Sequence, residues 1–354
     1  MRQRDKKRDR RYTGRLRAIS LPDIDILDDE RESAQTKSMR TFDKQDESLK
    51  EGMELVEGRI SEIHSNYNYV VESGGRFYRA TLSGRLKQFL YGRRSVATVG
   101  DRVQLDISME PDYRVENILP RTNALTRYAG GSFQKEIIIA ANIDQVIITN
   151  SWRKPLIKPG LIDRYICIAT LEGLAPIIVI NKIDLVEYPE DAQELSEYYI
   201  KMGYQTILTS TLTGEGMDRL KEVLKDKDSV FSGQSGTGKS SLINYLEPQL
   251  NLPTSEVSDY NEKGRHTTTR TILIPWSFGG HILDTPGIKT VNLHSDAKPE
   301  IPKVFPGFHH FAPNCYFRDC SHTHEDNCAV LKAVEEDVIP IERYDSYLQL
   351  MDSL

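Results

Sequence analysis

A glycine-rich segment in the second half of the chain has the spacing of a phosphate-binding loop. It reads GQSGTGKS, fits the pattern GxxxxGK[ST], follows an apolar run and opens a helix-like segment. Glycines let successive backbone N–H groups point at phosphates, while Lys239 can reach the β- and γ-phosphates and Ser240 can bind Mg²⁺. We therefore predict a nucleotide site, with Lys239 also catalytic, formed by Gly233, Gln234, Ser235, Gly236, Thr237, Gly238, Lys239, Ser240 and Ser241.

A second motif, Asn181-Lys182-Ile183-Asp184, indicates which base the site accepts. It matches NKxD at the end of an apolar run. The Asp184 carboxylate can accept hydrogen bonds from N1–H and the exocyclic amine of guanine, whereas adenine would leave it unpaired, which can discriminate by roughly 10⁴-fold. This motif therefore predicts guanine binding. Ser210 and Thr211 are a looser match to the loop that closes over the base.

Two further segments have the composition of metal and γ-phosphate ligands. Asp284-Thr285-Pro286-Gly287 fits DxxG, in which the Asp lies near Mg²⁺ and the Gly amide meets the γ-phosphate. Residues 264–269 (GRHTTT) fit a first switch segment, in which we expect Thr268, or else Thr267, to complete the Mg²⁺ shell begun by Ser240.

The residue that would activate water differs from that of common GTPases. Ile288 follows DxxG where a water-orienting Gln is usual, and an alkyl side chain cannot hold a water molecule. We therefore expect slow intrinsic hydrolysis until a partner completes the site. His266 is the nearest polar residue that could take the catalytic role, although a structural or RNA-contacting histidine is an equal alternative.

The order of these motifs is permuted, because NKxD and the base-closing loop precede the phosphate-binding loop and DxxG. Moving the chain ends in this way leaves a site intact when the original ends were close in space. The segment after Gly287 is then coupled to the γ-phosphate.

A cysteine and histidine cluster with metal-ligand spacing lies in the segment after DxxG. Cys315, Cys320, His322 and Cys328 place three thiolates and an imidazole within 14 residues, a complete tetrahedral set for structural zinc. We predict one zinc ion per chain, which would supply folding energy to a segment with few apolar residues. A disulfide would need an oxidising compartment and would leave an odd cysteine. We expect the fourth cysteine, Cys167, to belong to the core.

Composition limits the class of protein. A chain of 354 residues with 38% hydrophobic and 28% charged residues predicts a globular protein of two or three domains. The apolar runs are far shorter than the roughly 20 residues that span a bilayer, and the basic start is not a secretion signal. We expect a cytoplasmic protein without membrane contact.

The net charge of −6 is unevenly distributed, since a basic segment ending near Arg17 precedes an acidic one at 22–51. We interpret 1–50 as a disordered tail, either without function or binding nucleic-acid phosphates.

The remaining chain divides into segments with different patterns of apolar and turn-forming residues. Short alternating runs separated by turn signals predict an OB-type β-barrel at 51–120, followed by a linker at 121–136. Alternating strands and amphipathic helices predict an α/β GTPase domain with a mostly parallel sheet at 137–291. A zinc-binding domain occupies 292–354, with a polar helix from about Ala329 to the end.

The barrel segment mixes aromatic and arginine side chains, which suits base stacking and phosphate contact. The alternative is that half of the aromatic residues form barrel core. The residues concerned are Tyr67, Tyr69, Phe77 and Tyr78, with Arg59, Arg76, Arg79, Arg85, Arg93 and Arg94.

The permuted motifs, the barrel before them and the Cys₃His segment after them together resemble the RsgA (YjeQ) family of small-ribosomal-subunit assembly GTPases. The resemblance covers about residues 53–350 and is most specific at 233–244 (GQSGTGKSSLIN), 264–269, 284–288 (DTPGI) and the Cys/His spacing. It implies binding to the 30S subunit and its 16S rRNA, GTP hydrolysis to GDP and phosphate stimulated by that subunit, and release of late assembly factors. Ser210-Thr211 departs from the commoner Ser-Ala of the family.

We accordingly expect a monomeric GTPase that uses Mg²⁺ with its nucleotide. One alternative is another RNA-associated P-loop GTPase or a translation factor. A second is an ATP-dependent P-loop enzyme such as a kinase, against which Asp184 argues. A third is a nucleic-acid-binding module with a vestigial nucleotide fold, against which the intact Lys239, Ser240 and Asp284 argue.

Overall fold

The computed structural model describes residues 52–64, 68–89, 97–129, 135–252, 271–284 and 295–354, and the tail predicted at 1–50 lies outside these ranges. The described strands and helices belong to the unit Glu54–Leu354. The strands are β1 (Leu55–His64), β2 (Asn68–Ser73), β3 (Arg76–Leu82), β4 (Arg102–Asp106), β5 (Tyr113–Ile118), β6 (Ala124–Ala129), β7 (Lys135–Ala141), β8 (Gln145–Ser151), β9 (Ala175–Asn181), β10 (Gln205–Thr209), β11 (Lys227–Ser232), β12 (Ile272–Pro275) and β13 (Gly280–Asp284). The helices are α1 (Gly84–Phe89), α2 (Pro159–Leu171), α3 (Pro189–Lys201), α4 (Met217–Leu224), α5 (Lys239–Leu246), α6 (Ile301–Val304), α7 (Ala329–Glu335) and α8 (Ile341–Asp352), with 3₁₀ turns at Ile183–Leu185, Pro248–Leu250, Ser295–Glu300 and Ala312–Asn314.

Strands β1 to β5 close into a small barrel, as the turn-separated runs predicted. Strand β1 pairs with both β2 and β4, and the circle is completed by β2–β3, a parallel β3–β5 pair and β4–β5. Alternate residues point inward and exclude water from a core that includes Ile60, Tyr69, Val71, Leu82, Val103, Leu105 and Val115. The fold class predicted for this region is confirmed.

The aromatic residues of the barrel divide between core and surface. Tyr69 is buried, and the ring of Tyr78 packs edge-on against Tyr113 at 5.1 Å. Phe77 is 56% exposed. The alternative that half of these aromatic residues form barrel core therefore holds for Tyr69, whereas Phe77 is one aromatic side chain that a base could reach. Outside the described residues lie Tyr67, Arg93 and Arg94.

A second set of strands forms the nucleotide-binding sheet, in the order β10-β9-β8-β11-β13-β12. All neighbours are parallel except β12, which runs antiparallel to β13. The central strands β8 and β9 are almost entirely buried because helices cover both faces of the sheet, and each face has its own buried cluster. The predicted mostly parallel α/β sheet is confirmed.

The barrel and this sheet are joined by main-chain and charged contacts. Glu62 of β1 pairs with Ile272 of β12, so one continuous sheet runs through both. Arg59 forms an ion pair with Asp228 of β11, and its Nη2 donates to the Asn142 carbonyl at 2.8 Å. Arg59, one of the six arginines suggested for phosphate contact, is instead held by these two acceptors.

A histidine extends the same contact. His281 of β13 has Nδ1 2.7 Å from Asp228 Oδ1 and Nε2 3.0 Å from Glu72 Oε2 of the barrel. Burial opposes the charge on this ring, but the hydrogen bonds to both carboxylates outweigh it and raise the pKa of His281. Two carboxylates, one arginine and one histidine thus bridge β2 and β1 to β11 and β13.

The segment predicted as a linker contributes to a hairpin. Strands β6 and β7 pair antiparallel across 124–141, and Ala140 bridges to Val99 next to the barrel. Arg121 holds Asp101 of the barrel through Nε at 2.7 Å and Nη2 at 2.8 Å. This bidentate pair fixes the chain where it leaves the barrel.

The C-terminal region packs against α2 through a buried polar network. Arg343 Nη1 donates to Asp163 Oδ1 at 3.1 Å and to the Pro306 carbonyl at 3.3 Å, and its guanidinium lies over the rings of Tyr198 and Tyr199. The Tyr199 hydroxyl and the Ser346 hydroxyl also donate to the Asp163 carboxylate, each at 3.1 Å.

The single polar helix predicted from Ala329 to the end is wrong. It is divided into α7 and α8, because Asp337 adopts a left-handed backbone (φ 56°) and Pro340 cannot donate to a continuing helix. Across the described ranges, no helix has both the length and the apolar character needed to cross a membrane.

Candidate functional site

The phosphate-binding loop follows β11 and leads into α5, at the carboxyl edge of the sheet. Two of its glycines are required by close approach. A Cβ on Gly233 (φ 143°) would lie 2.1 Å from the Thr149 carbonyl, and one on Gly238 (φ 96°) would lie 2.3 Å from Asn181 Nδ2. Only glycine adopts these positive φ values without strain and leaves room for both neighbours. The loop can therefore fold around phosphates with its backbone N–H groups facing a ligand.

Lys239 spans this loop from the first residue of α5. Its Nζ donates to the carbonyls of Gly233 at 2.7 Å and Gln234 at 2.8 Å. The ammonium is thus held at the mouth of the loop, where it can bind a phosphate oxygen. Ser240 and Ser241 follow in the first turn and are half-buried, while Ser235 at the tip of the loop is exposed.

The NKxD motif is hydrogen-bonded to the phosphate-binding loop. Asn181 ends β9, and its Nδ2 donates to the Thr237 carbonyl at 3.0 Å while its Oδ1 accepts from Thr209 Oγ1 at 3.2 Å. Lys182 Nζ donates to the Gly236 carbonyl at 2.6 Å. The structure therefore brings together two motifs that are about 50 residues apart, and it adds Thr209, which no motif had indicated.

Asp184, the residue predicted to recognise the base, is hydrogen-bonded to Ser210. Ser210 Oγ donates to Asp184 Oδ1 at 2.5 Å, and Ser210 Oγ in turn accepts from the backbone N–H groups of Leu212 and Thr213 at 3.2 Å. These hydrogen bonds fix the orientation of the Asp184 carboxylate, which is exposed. Burial and the neighbouring Lys154 ammonium lower the pKa of Lys182, against the opposing effect of Asp184. Thr211 is half-buried beside Ser210.

Some predicted site residues lie outside the described residues. These are His266, Thr267, Thr268, Gly287 and Ile288. Asp284 is the last residue of β13, at the same edge of the sheet as the phosphate-binding loop after β11. Because parallel strands end at one edge, this position suits a metal-proximal carboxylate.

The cysteine and histidine cluster is assembled in the C-terminal region. The ligand atoms of Cys315, Cys320, His322 and Cys328 all lie within 4.8 Å of one another. His322 Nδ1 is 3.6 Å from Cys315 Sγ and 3.4 Å from Cys328 Sγ, and the sulfurs of Cys315 and Cys328 are 3.8 Å apart. Four donors at these separations can hold one metal ion.

The electrostatics of the cluster favour a cation. Burial, together with the nearby Cys328 and Cys315, raises the pKa of Cys320 to about 12. The Cys320 thiol would therefore stay protonated without a positive charge beside it, whereas a bound cation would reverse this effect. Cys167, by contrast, is buried in the core as expected, with its Sγ 3.9 Å from the Val304 carbonyl.

The loop that carries His322 is held by a carboxylate that the sequence did not single out. The Glu325 side chain accepts from the backbone N–H groups of Ser321, Thr323 and His324 at 2.6, 3.1 and 3.2 Å. These hydrogen bonds outweigh burial and hold the pKa of Glu325 far below its usual range. The sequence signal that could have identified Glu325 is the presence of an acidic residue within a run of histidines and cysteines.

Comparison with known proteins agrees with this arrangement. The family model described as RsgA GTPase matches residues 118–294. The small ribosomal subunit biogenesis GTPase RsgA of Gemmatimonas aurantiaca is 41% identical over 80% of this chain and 92% of its own length. The protein of the same name from Caldanaerobacter subterraneus subsp. tengcongensis is 38% identical over 84% of this chain and 96% of its own length.

Solved structures lead to the same family. The crystal structure of YjeQ from Thermotoga maritima superposes with a TM-score of 0.69 at 33% identity, covering 85% of this chain and 99% of that one. The structure of YloQ, a circularly permuted GTPase, superposes with a TM-score of 0.67 at 29% identity, covering 85% and 96%. With its permuted motifs, its barrel and its Cys₃His cluster, the chain belongs to the RsgA family of circularly permuted GTPases.

Proposed function

We propose that this protein hydrolyses GTP to GDP and phosphate and acts in late assembly of the small (30S) ribosomal subunit, binding the subunit through its 16S rRNA as a monomer in the cytoplasm. The observation that carries the nucleotide assignment is a pair of hydrogen bonds, from Ser210 to Asp184 and from Asn181 to the Thr237 carbonyl. It presents an oriented carboxylate for guanine at a fixed distance from the phosphate-binding loop. The names of the relatives support the ribosomal assignment.

The roles within the site follow from the chemistry of each group. Asp184 would accept from guanine, with Asn181, Lys182, Ser210 and Thr211 around the base. The loop 233–241 would surround the phosphates, with Lys239 neutralising charge that develops on them. Ser240, Thr268 and Asp284 would hold Mg²⁺, and Gly287 would contact the γ-phosphate. Magnesium bound there would neutralise phosphate charge.

The Cys₃His cluster fits structural zinc. With Zn–S of about 2.3 Å and Zn–N of about 2.0–2.1 Å, a tetrahedron separates two sulfurs by about 3.8 Å and a sulfur from a nitrogen by about 3.6 Å. The separations of 3.8 Å between Cys315 and Cys328, 3.6 Å between Cys315 and His322 and 3.4 Å between Cys328 and His322 lie close to these values. Zinc there would hold the C-terminal region together.

The purified protein should therefore contain about one zinc ion per chain. Cys320→Ser should lower the metal content and loosen the C-terminal region while leaving GDP affinity within about twofold, and elemental analysis measures the metal. Cys167→Ala is the matched control, because it removes a buried thiol outside the cluster and should leave the zinc content unchanged. Parent protein that contains no zinc after chelator-free purification would contradict the assignment.

His266 is proposed as the residue that positions the attacking water. His266→Ala should leave GTP affinity and slow basal turnover nearly unchanged, because Ile288 already leaves the basal rate without a water-orienting side chain. Most of the subunit-stimulated rate should be lost, and single-turnover assays measure both rates. Full stimulation of the variant would show that His266 is not catalytic.

Co-sedimentation tests the ribosomal assignment. The protein should pellet with purified small subunits in the presence of a non-hydrolysable GTP analogue and less with GDP, since the γ-phosphate orders the switch segments. Purified large subunits are the matched control and should retain little protein. Equal binding to both subunits, or to neither, would refute the proposed partner and favour another RNA-associated GTPase.

A further inference from the structure

The turn after β8 lies against the nucleotide site although no motif includes it. The backbone N–H of Trp152 donates to the Asn181 carbonyl at 2.9 Å, which continues the β8–β9 pairing one residue beyond Ser151↔Asn181. The turn therefore starts in a fixed register with the strand that ends in the NKxD motif. Pro155 Cδ lies 3.5 Å from the position that a Cβ on Gly236 would occupy, so the turn also adjoins the phosphate-binding loop.

Lys182 connects this turn to the phosphate-binding loop. Its Nζ donates to the Lys154 carbonyl at 2.5 Å and to the Gly236 carbonyl at 2.6 Å. An ammonium group has three N–H donors, and charge-assisted bonds are the stronger class. Two of the three are thus directed at carbonyls of two different segments. The position of the Lys182 side chain is consequently set as much by the turn as by the loop.

Ser151 closes the turn. The residue is only 1% exposed, and its Oγ donates to the Pro155 carbonyl at 2.7 Å. Ser151 precedes the Lys154 carbonyl in the chain and Pro155 follows it. The hydrogen bond between Ser151 and Pro155 therefore fixes the chain on both sides of the carbonyl that accepts from Lys182. Removing the hydroxyl would leave a carbonyl without its buried donor and would favour other conformations of the turn.

We propose that Ser151 is a positioning residue for guanine-nucleotide binding, which acts by holding the Lys154 carbonyl against Lys182. This inference rests on the proposed function, because Lys182 is assigned there to the base. The Ser151 side chain is buried and its hydroxyl donates to the Pro155 carbonyl, so we assign it no direct contact with the nucleotide. In this proposal its effect reaches the ligand through Lys182, and a dependence on Lys182 distinguishes a positioning role from a contribution to stability alone.

The test compares GDP affinity in a set of full-length variants, by titration with a fluorescent GDP analogue. Ser151→Ala should raise Kd roughly three- to tenfold, because the turn would then hold the Lys154 carbonyl against Lys182 in only a fraction of the free protein. Ser151→Thr keeps the hydroxyl and should restore near-parent affinity. Ser196→Ala, which removes a buried hydroxyl from α3, is the matched control and should leave Kd unchanged.

A double-mutant cycle tests whether Ser151 acts on nucleotide affinity through Lys182. In a Lys182→Met background, Ser151→Ala should change Kd by less than about twofold, because the interaction it supports is already absent. Ser151→Cys, with a weaker donor of similar size, serves the same comparison if the alanine variant does not fold. An unchanged Kd for Ser151→Ala, or the same loss in both backgrounds, would overturn the inference. A parent protein that does not bind GDP would overturn the proposed function itself.

Discussion

Asp184→Asn should abolish tight binding of GDP and GTP and create binding of xanthosine nucleotides. The carboxylate is exposed and held by Ser210 at 2.5 Å, so it is oriented to accept two hydrogen bonds from a base edge. Asparagine replaces one acceptor by a donor, which opposes the donors of guanine and matches the additional carbonyl of xanthine. Because the mismatch leaves polar groups unpaired at both partners, GDP affinity should fall by roughly 10³- to 10⁴-fold.

Titration with fluorescent GDP and XDP measures both effects in the same variant. Asp191→Asn is the matched control, since it neutralises an exposed carboxylate in the first turn of α3 without touching the site. That variant should bind GDP like the parent and should not bind XDP. Equal GDP affinity for parent and Asp184→Asn would show that the base is recognised elsewhere.

Arg343→Met should produce the largest loss of stability. The Arg343 and Asp163 side chains are 4% and 2% exposed, and Asp163 also accepts from Tyr199 and Ser346. Methionine preserves much of the volume but leaves a buried carboxylate without its counter-charge, which costs about 3–5 kcal/mol. Because this pair ties α8 to α2, the C-terminal region should also release its metal to a chelator faster. Urea unfolding measures the first effect and a chromogenic chelator the second.

Lys332→Met is the matched control for this substitution. Lys332 forms an exposed pair with Glu336 at 3.8 Å, and such surface pairs contribute about 0–1 kcal/mol. The double variant Asp163→Asn/Arg343→Met should recover part of the loss, because no unpaired charge is then buried. A loss of less than about 1 kcal/mol for Arg343→Met would contradict the structural importance of this pair.

Much of the fold could be predicted from the sequence because local pattern and tertiary environment agree. Strand β9 is apolar on both faces, so its position was evident from its apolar run. The turn-separated runs of the barrel were equally clear. The segment from Ala329 was predicted as one helix because Pro340, which cannot donate to a continuing helix, was overlooked. The left-handed Asp337 before it leaves no comparable signal in the sequence.

Contacts between distant segments were less accessible to sequence reasoning. Motifs identified the Asn181 and Lys182 side chains, yet nothing in those motifs indicated that the carbonyl of Lys154 would hold Lys182. Every residue has a backbone carbonyl, so a contact made by one of them leaves no pattern of residue types in the sequence. Arg59 was interpreted from its charge as a phosphate contact, and its partner Asp228 lies 169 positions away. Pairing over such a separation depends on topology, which single-residue types do not specify.

Above all, we propose that GTP turnover by this protein depends on the small ribosomal subunit. The most direct test measures phosphate release from GTP by the zinc-loaded parent protein, alone and with purified small subunits, with ATP as the parallel substrate. We expect slow release from GTP alone and a large increase with subunits, within the roughly 10³–10⁵-fold range that partners provide in other GTPases, with ATP left intact. An equal GTP rate with and without subunits, or comparable hydrolysis of ATP, would contradict this proposal.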